Sequence, residues 1–497
     1  MKTTVQFPLP VGVTGRLSEK RGRRWLKVLA MATGLAIAGT QPTAAETALR
    51  ITPESWAAEL GAKRSPLSAE DMIDAALLLS GARGGALETG RTMLRRAVAD
   101  VEALVDRSSP AYEKGEQVLA YLHDRYLVRY SEPQTRVDVL LSKGTHNCVS
   151  SAVVYMILAR AVGLSVKGVS TPDHAFCAVA TAARHVDVET TTRYGFDPGR
   201  KKEFTDAFGN TTGFSYVAPG NYALRSDITD KELLGLILQN RISILEKQKN
   251  FAEAAALAVD RYAFLGGGDK ARNDMVKELI NHAAYLNAAS KYRDALSFVD
   301  RARAQHGGHP EFTRIAQVLV HNRTVELSNS GRLEEARALI RERRDTGDLS
   351  AADAATLRTT VGEQYLNTVV RRVPFEDAVR LVEEMFADEE ISAARRRDFL
   401  IYLYGTEAER LGRSRDFLGA LEIIQEAISM VGPDARLLRA EAANERNYEA
   451  LMHNRFADRF NRKDYTGAAE VLRQALREMP DSRRLREDQA LLRKAQR

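Results

Sequence analysis

Six times between residues 251 and 472 the chain repeats one short pattern. An aromatic residue or leucine is followed three residues later by alanine, and an apolar residue comes four after that. The pairs are Phe251/Ala254, Tyr292/Ala295, Leu333/Ala336, Phe375/Ala378, Phe417/Ala420 and Tyr465/Ala468, completed by Ala258, Val299, Ile340, Val382, Ile424 and Leu472. The alanines stand 41, 41, 42, 42 and 48 residues apart. Positions i, i+3 and i+7 share one face of an α-helix and do not share one face of a strand. A helical hairpin of this size cannot bury its apolar face alone, so consecutive units must stack. Residues 226–497 are therefore expected to form an all-α helical-repeat solenoid, with each alanine at a close contact between helices. The plainer alternative is an irregular helical bundle with alanines at its contacts, and the near-constant spacing argues against it.

Charge distribution narrows the function. The chain of 497 residues carries a formal net charge of +6, with 72 basic and 66 acidic residues. Seven of the basic residues (Lys2, Arg16, Lys20, Arg21, Arg23, Arg24, Lys27) and one acidic residue (Glu19) lie in residues 1–45, leaving 65 of each sign in the remainder. A neutral body has no long-range attraction for a phosphate backbone, which argues against nucleic acid as a partner. The basic leader precedes a short apolar run, Val28 to Gly39, and then the small residues Thr43, Ala44 and Ala45. Basic, apolar and small-residue segments in this order predict a secretory signal peptide over 1–45, cleaved near Ala45. The apolar run is shorter than the roughly 20 residues a membrane span needs, and no later segment is apolar enough to provide a stable membrane anchor. The expected location is outside the cytoplasm, in the periplasm. An uncleaved basic tail is the alternative.

Between leader and repeats the character of the chain changes once. Residues 46–135 read as a helical segment. Ser68-Ala69-Glu70-Asp71 resembles a capping box, its helix stops near Gly81, and amphipathic stretches follow near Glu88–Val105 and Tyr112–Leu127. Residues 136–225 are richer in Gly, Thr, Val and Asp, and past Gly163 alternation replaces helical spacing. This predicts one central helix followed by several strands.

The chemistry lies in that middle segment. In Gly144-Thr145-His146-Asn147-Cys148-Val149-Ser150-Ser151-Ala152 the cysteine precedes apolar residues at helical spacing, up to Gly163. Cys148 is thus expected in the first turn of a buried helix, where free N–H groups and the helix dipole favour a thiolate. Its backbone N–H is a candidate oxyanion donor. A thiolate nucleophile needs an imidazole partner, and the first histidine downstream is His174, in Thr171-Pro172-Asp173-His174-Ala175-Phe176-Cys177. A turn near Thr181–Arg184 and the run His185-Val186-Asp187-Val188-Glu189-Thr190-Thr191 complete a predicted β-hairpin. If the turn centres on Thr181 and Ala182, His174 faces Glu189 across the strands. Asp187 shares the face of Glu189 and is its rival as the acid that orients the imidazole. Alternation points Cys177 to the opposite face, as a core residue, and argues against a Cys148–Cys177 disulfide. Free cysteine is most often a buried core residue, which is the plain alternative for Cys148. His146 either helps bind substrate or has no role, and His185 reads as a turn residue. Residues 192–225, rich in glycine and aromatics, form either sheet edge and turns or a wall of the cleft. No histidine or cysteine spacing suggests a metal site, and nothing calls for a cofactor.

Asn147-Cys148, Asp173-His174-Ala175-Phe176 and Val188-Glu189-Thr190-Thr191 together resemble the transglutaminase-like superfamily. Its core takes Cys from a helix start, then His and an acid from successive strands. In that superfamily the acid is usually Asp, with Thr two residues later; here Glu189 occupies the place and Thr191 supplies the Thr. The resemblance covers roughly residues 110–225. It implies an α+β core, a papain-like helix plus an antiparallel sheet, with Cys148, His174 and Glu189 catalytic and Asp187 held in reserve. It also implies hydrolysis of amide bonds in a protein or peptide through a thiol acyl-enzyme, ahead of cross-linking. The repeats are similar in register to the second helix of a tetratricopeptide repeat, with Ala475 and Pro480 following Ala468, although the period exceeds the usual 34 residues or so. They imply a protein partner, or the substrate itself, held along the array. The alternative is a non-catalytic extracytoplasmic scaffold that binds proteins through its repeats.

Overall fold

Ser68, a short polar residue ahead of an apolar run, caps the helix over Ala69–Leu79. The computed structural model describes residues 50–199, 201–218 and 220–496, so the expected signal peptide at 1–45 lies outside the described residues. Four helices open the described chain: α1 (Ser55–Ala62), α2 (Ala69–Leu79), α3 (Gly84–Leu104) and α4 (Ala111–Arg125). At the start of α2 the Ser68 hydroxyl accepts the Asp71 N–H and bonds the Asp71 carboxylate. Gly81, with φ +88, lies just beyond its end.

The middle segment builds a small sheet around one helix. It contains β1 (Arg129–Tyr130), α5 (Val137–Lys143), β2 (Thr145–His146), α6 (Cys148–Ala161), β3 (Val166–Ser170), β4 (Ala175–Ala180), β5 (His185–Val188), α7 (Lys202–Thr212) and β6 (Ser226–Ile228). β1 and β2 form a two-residue parallel ladder, and the antiparallel sheet has the order β5-β4-β3-β6. Every residue of α6 from Cys148 to Ala159 is buried, as befits a helix apolar on all sides. Cys177 donates its thiol to the Ala152 carbonyl of α6 (3.4 Å), so Ala175, Cys177 and Val179 face that helix. The opposite face carries Val169, Phe176 and Ala178.

Two expectations are corrected here. The hairpin β4–β5 pairs Ala180 with His185 and Cys177 with Val188, so the turn centres one residue later, between Ala182 and Ala183. Thr181 closes it by accepting the Arg184 N–H at Oγ1 (3.2 Å) and donating to the Arg184 carbonyl (2.7 Å). His185 is accordingly the exposed first residue of β5 rather than a turn residue. Residues 192–225 are not only edge and turn. They include α7, whose Phe204 and Phe208 are buried among the aromatics of the outer sheet face. Its composition is weakly helical, and packing of those two rings supplies what propensity lacks.

The remainder is helical pairs in sequence order. α8 (Asp230–Lys247) pairs with α9 (Phe251–Phe264), α10 (Asp269–Ala288) with α11 (Tyr292–His306), and α12 (Pro310–Asn329) with α13 (Leu333–Asp345). α14 (Ala351–Val369) precedes α15 (Phe375–Ala387), α16 (Ala393–Arg413) pairs with α17 (Phe417–Val431), and α18 (Ala435–Asn461) with α19 (Tyr465–Glu478). α20 (Arg483–Ala495) closes the array. Each aromatic or leucine of the repeated pattern is the first residue of the second helix in its pair. The six alanines are all fully buried, and the apolar residues four further on are buried with them. The chain is thus mostly helical with a small antiparallel sheet, and 20 helices occur among the described residues. No described helix is long and apolar enough to cross a membrane.

The two regions share a core. One cluster of buried apolar residues runs continuously from Ala57 through α6 to Leu437. α8 is the joint. It packs on α2, α6 and β3 as well as on α9, and it is tied to the core by Arg160–Asp230 (2.9 Å) and by Arg241 Nη1 on the Leu79 carbonyl (2.7 Å).

Candidate active site

Asn147 starts α6 and thereby places the cysteine. Its side chain accepts the Ser150 N–H while the Ser150 hydroxyl accepts the Asn147 N–H, both at 3.0 Å, a reciprocal capping box. Asn147 Nδ2 also donates to the Glu132 carbonyl (3.0 Å), which ties the preceding loop to the helix end. Cys148 is therefore the first helical residue, where the N–H groups of the first turn have no intrahelical acceptor.

His174 precedes β4 by one residue. Its carbonyl accepts the N–H (2.8 Å) and hydroxyl (3.2 Å) of Thr171, which closes the turn and orients the ring. Nε2 bonds Glu189 Oε2 at 2.6 Å. With the register displaced by one, this contact is diagonal across the hairpin instead of directly opposite. The other carboxylate oxygen of Glu189 accepts both the N–H (3.2 Å) and the hydroxyl (2.8 Å) of Thr191. That is the physical use of a threonine two residues after the acid. Glu189 is fully buried, and its N–H bonds the Gly195 carbonyl. A Cβ at Gly195 would lie 1.8 Å from the Glu189 carbonyl oxygen, so only glycine lets the two strands of backbone approach this closely. Ser151 of α6 bonds Thr190 through their hydroxyls (2.7 Å), fastening the acid-bearing segment to the cysteine helix.

The imidazole is held charged. Burial works against protonation of His174, but the charge and hydrogen bond of Glu189 and the nearby Cys148 outweigh it, and its pKa is raised well above 6.5. Nδ1, the ring nitrogen not bonded to Glu189, is buried with no hydrogen-bond partner. Phe208, Phe214 and Phe176 surround the imidazole at 5.3, 5.9 and 6.1 Å between ring centres.

The rival acid has another partner. Asp187 accepts both guanidinium nitrogens of Arg225 (2.7 and 2.8 Å) and the Tyr216 hydroxyl. Arg225 in turn lies 4.9 Å over the Phe176 ring. Asp187 thus fastens the segment after α7 to the outer sheet face and makes no bond to His174. Cys177 is fully buried, and burial raises its thiol pKa far above the ordinary range; both cysteines are free. His146 is buried against Tyr130, with its pKa lowered to about 4 by burial, and it does not line the cleft.

Cys148 and His174 open into a cleft of about 410 Å³. Its near wall comes from Tyr130, Asn147 and Phe214, and its far wall from α8 through Gln239, Ser243 and Lys247. The first repeat helix is therefore part of the site. Sequence patterns did not single out Tyr130, Phe214 or the α8 residues. Tyr130 stands eighteen residues before the cysteine and the α8 residues about a hundred after it, and no short-range spacing joins them. Phe214 lies in the stretch left between edge and cleft wall; it lines the cleft, while Tyr216 backs the sheet. Comparison with known proteins finds no matching family model and no curated relative, so the functional reading rests on this geometry.

Proposed function

We propose that the chain is an exported, transglutaminase-like cysteine hydrolase that cleaves amide bonds of a protein or peptide. The observation that carries this reading is the connected series of Cys148 at the start of a buried helix, His174 beside it, and Glu189 bonded to the far side of the ring. A buried imidazole held charged by a buried carboxylate is expensive as a structural device and useful beside a nucleophile. In the proposed cycle His174 already holds the thiol proton as the imidazolium, and the Cys148 thiolate attacks the amide carbonyl. The proton is delivered to the leaving amine as the C–N bond breaks. Water, deprotonated by His174, then attacks the thioester carbon, and the thiolate departs with its bonding pair.

The helical pairs read as a tetratricopeptide-like solenoid. Placement of α8 in the cleft wall supports substrate binding by its first unit, and the remaining units offer a surface for a protein partner. A second cavity of about 380 Å³ between α13 and α15, lined by Arg332, Glu334, Arg337, Glu384 and Asp388, holds no cysteine or histidine and favours a binding role there. The scaffold alternative has that observation behind it but leaves the charged His174 without a purpose.

Iodoacetamide alkylation of Cys148 in a Cys177→Ser background, followed against pH, tests the reading. A reactive thiolate persisting well below the reference thiol value of about 8.5, and lost in His174→Ala, is expected. An ordinary thiol profile indifferent to His174→Ala would remove the enzyme reading in favour of the scaffold. Sequencing of the mature N-terminus tests export, with a start near Glu46 expected.

A further inference from the structure

Tyr130 carries a polar atom that the fold buries and leaves unused. Its phenolic oxygen is buried with no hydrogen-bond partner, and its side chain lines the cleft beside Asn147 and Cys148. Buried hydroxyls are almost always bonded, so an orphan in a cleft wall asks for a function. The ring is not free to turn elsewhere. Tyr130 is paired with His146 in the β1–β2 ladder, Ser131 N–H bonds the His146 carbonyl (2.8 Å), and the ring stands edge-on to the His146 ring at 6.0 Å. The ladder places Tyr130 opposite the residue two before Cys148, at the helix start.

Electrostatics keeps this hydroxyl a donor. Burial raises its pKa first, and the charges of Cys148, Glu132 and Glu189 add to the effect, with Cys148 the largest of the three. The phenol therefore stays protonated through the neutral range. Close by, the Asn147 side chain occupies the Ser150 N–H and leaves the Cys148 N–H at the first position of the helix, without an intrahelical acceptor.

We propose that the Tyr130 hydroxyl and the Cys148 N–H form the oxyanion hole of this site. The inference rests on Cys148 being the nucleophile. When the thiolate adds to a carbonyl carbon, the π pair moves onto the oxygen, and the resulting alkoxide accepts the Tyr130 O–H and the Cys148 N–H. On collapse the pair returns to the carbonyl and the leaving group departs with its own bonding pair. A donor with no ground-state partner contributes chiefly where the charge develops, which is the requirement for raising kcat rather than tightening binding.

Two probes of the same thiol separate this role from others. Iodoacetamide reacts by displacement at a saturated carbon and forms no oxyanion, whereas p-nitrophenyl acetate acylates through one. In a Cys177→Ser background, Tyr130→Phe should slow acylation, read as p-nitrophenolate release, by about 10²–10³-fold. The rate and pH profile of alkylation should be unchanged, which also shows that the variant is folded. Because the substitution removes an orphan hydroxyl, its melting temperature should rise while acylation falls, a combination that a structural tyrosine would not give. Equal loss in both reactions, or an alkylation profile moved to higher pH, would mean that the phenol acts on the thiolate and would overturn the proposal. Unchanged acylation would overturn it outright. Wild-type protein no more readily acylated or alkylated than its Cys148→Ala variant would instead overturn the acyl-transfer reading beneath it.

Discussion

Two carboxylates two residues apart, one within β5 and one just past its end, have opposite duties, and the difference lies in their partners. Glu189 bonds His174, while Asp187 is bidentate to Arg225. Glu189→Gln should remove the charge that sustains the imidazolium and slow Cys148 alkylation at pH 6 by roughly tenfold or more, since one pKa unit is a factor of ten. Asp187→Asn should leave that rate nearly unchanged and loosen the segment carrying Tyr216 and Arg225, read as faster proteolysis there. The histidines also divide by sign. His174 has a raised pKa, so the stability it contributes is present below about pH 6.5 and is lost as pH rises through the raised value. His123 and His146 are both lowered to about 4, by burial before any other cause. They fold neutral, and stability should fall as pH drops from about 6.5 to about 4, by on the order of 3 kcal/mol each at the limit. Urea titrations across that range should show a loss that His123→Gln reduces.

At the scale of the element, the pairs share a joint as well as an alanine. Lys249, Ser290, Gly331, Arg415 and Lys463 each have φ between 60° and 75° and stand two residues before a second helix. In each the next N–H bonds the carbonyl five residues back: Asn250 to Leu245, Lys291 to Leu286, Arg332 to Leu327, Asp416 to Leu411 and Asp464 to Arg459. These are Schellman closures, which suit glycine, yet only one of the five is glycine. Arg415→Gly and Lys463→Gly should each raise stability by up to about 1 kcal/mol, measurable as a higher urea midpoint, while Lys463→Val should lower it. The fourth pair is the exception. It turns through Val373-Pro374 with no positive φ, and α14 and α15 touch less than the helices of the other pairs. The alternation of β4 and the repeat register were legible because both are local periodicities. Helix α7 was not, because Phe204 and Phe208 only acquire a face to pack on once the sheet exists.

Across the whole molecule, α8 makes the small sheet and the helical pairs one structure. Leu233, Leu234, Ile237 and Leu238 are fully buried. At about 1.5–3 kcal/mol for each buried side chain, they supply roughly 6–12 kcal/mol, comparable to the entire stability of an ordinary domain. Residues 50–228 expressed alone should therefore fail to fold, seen as aggregation or a lack of cooperative melting. A second buried cluster, from Tyr448 to Leu492, is separate from the main core. A chain ending at Gly432 should consequently keep Cys148 alkylation near the full-length rate.

Local chemistry carried much of this protein on its own. The cysteine at a capped helix start, the histidine and acid on a hairpin, and the alanine of each helical pair are all set by residues within a few positions of one another, through capping bonds, strand alternation and helical period. Two things were decided only by tertiary structure. Which carboxylate bonds His174, Glu189 rather than Asp187, depended on Arg225 claiming the latter. The cleft itself depended on α8 and Tyr130 arriving from distant parts of the chain. Periodicity reports which way a side chain points along its own element, and it carries no record of what another element brings to meet it.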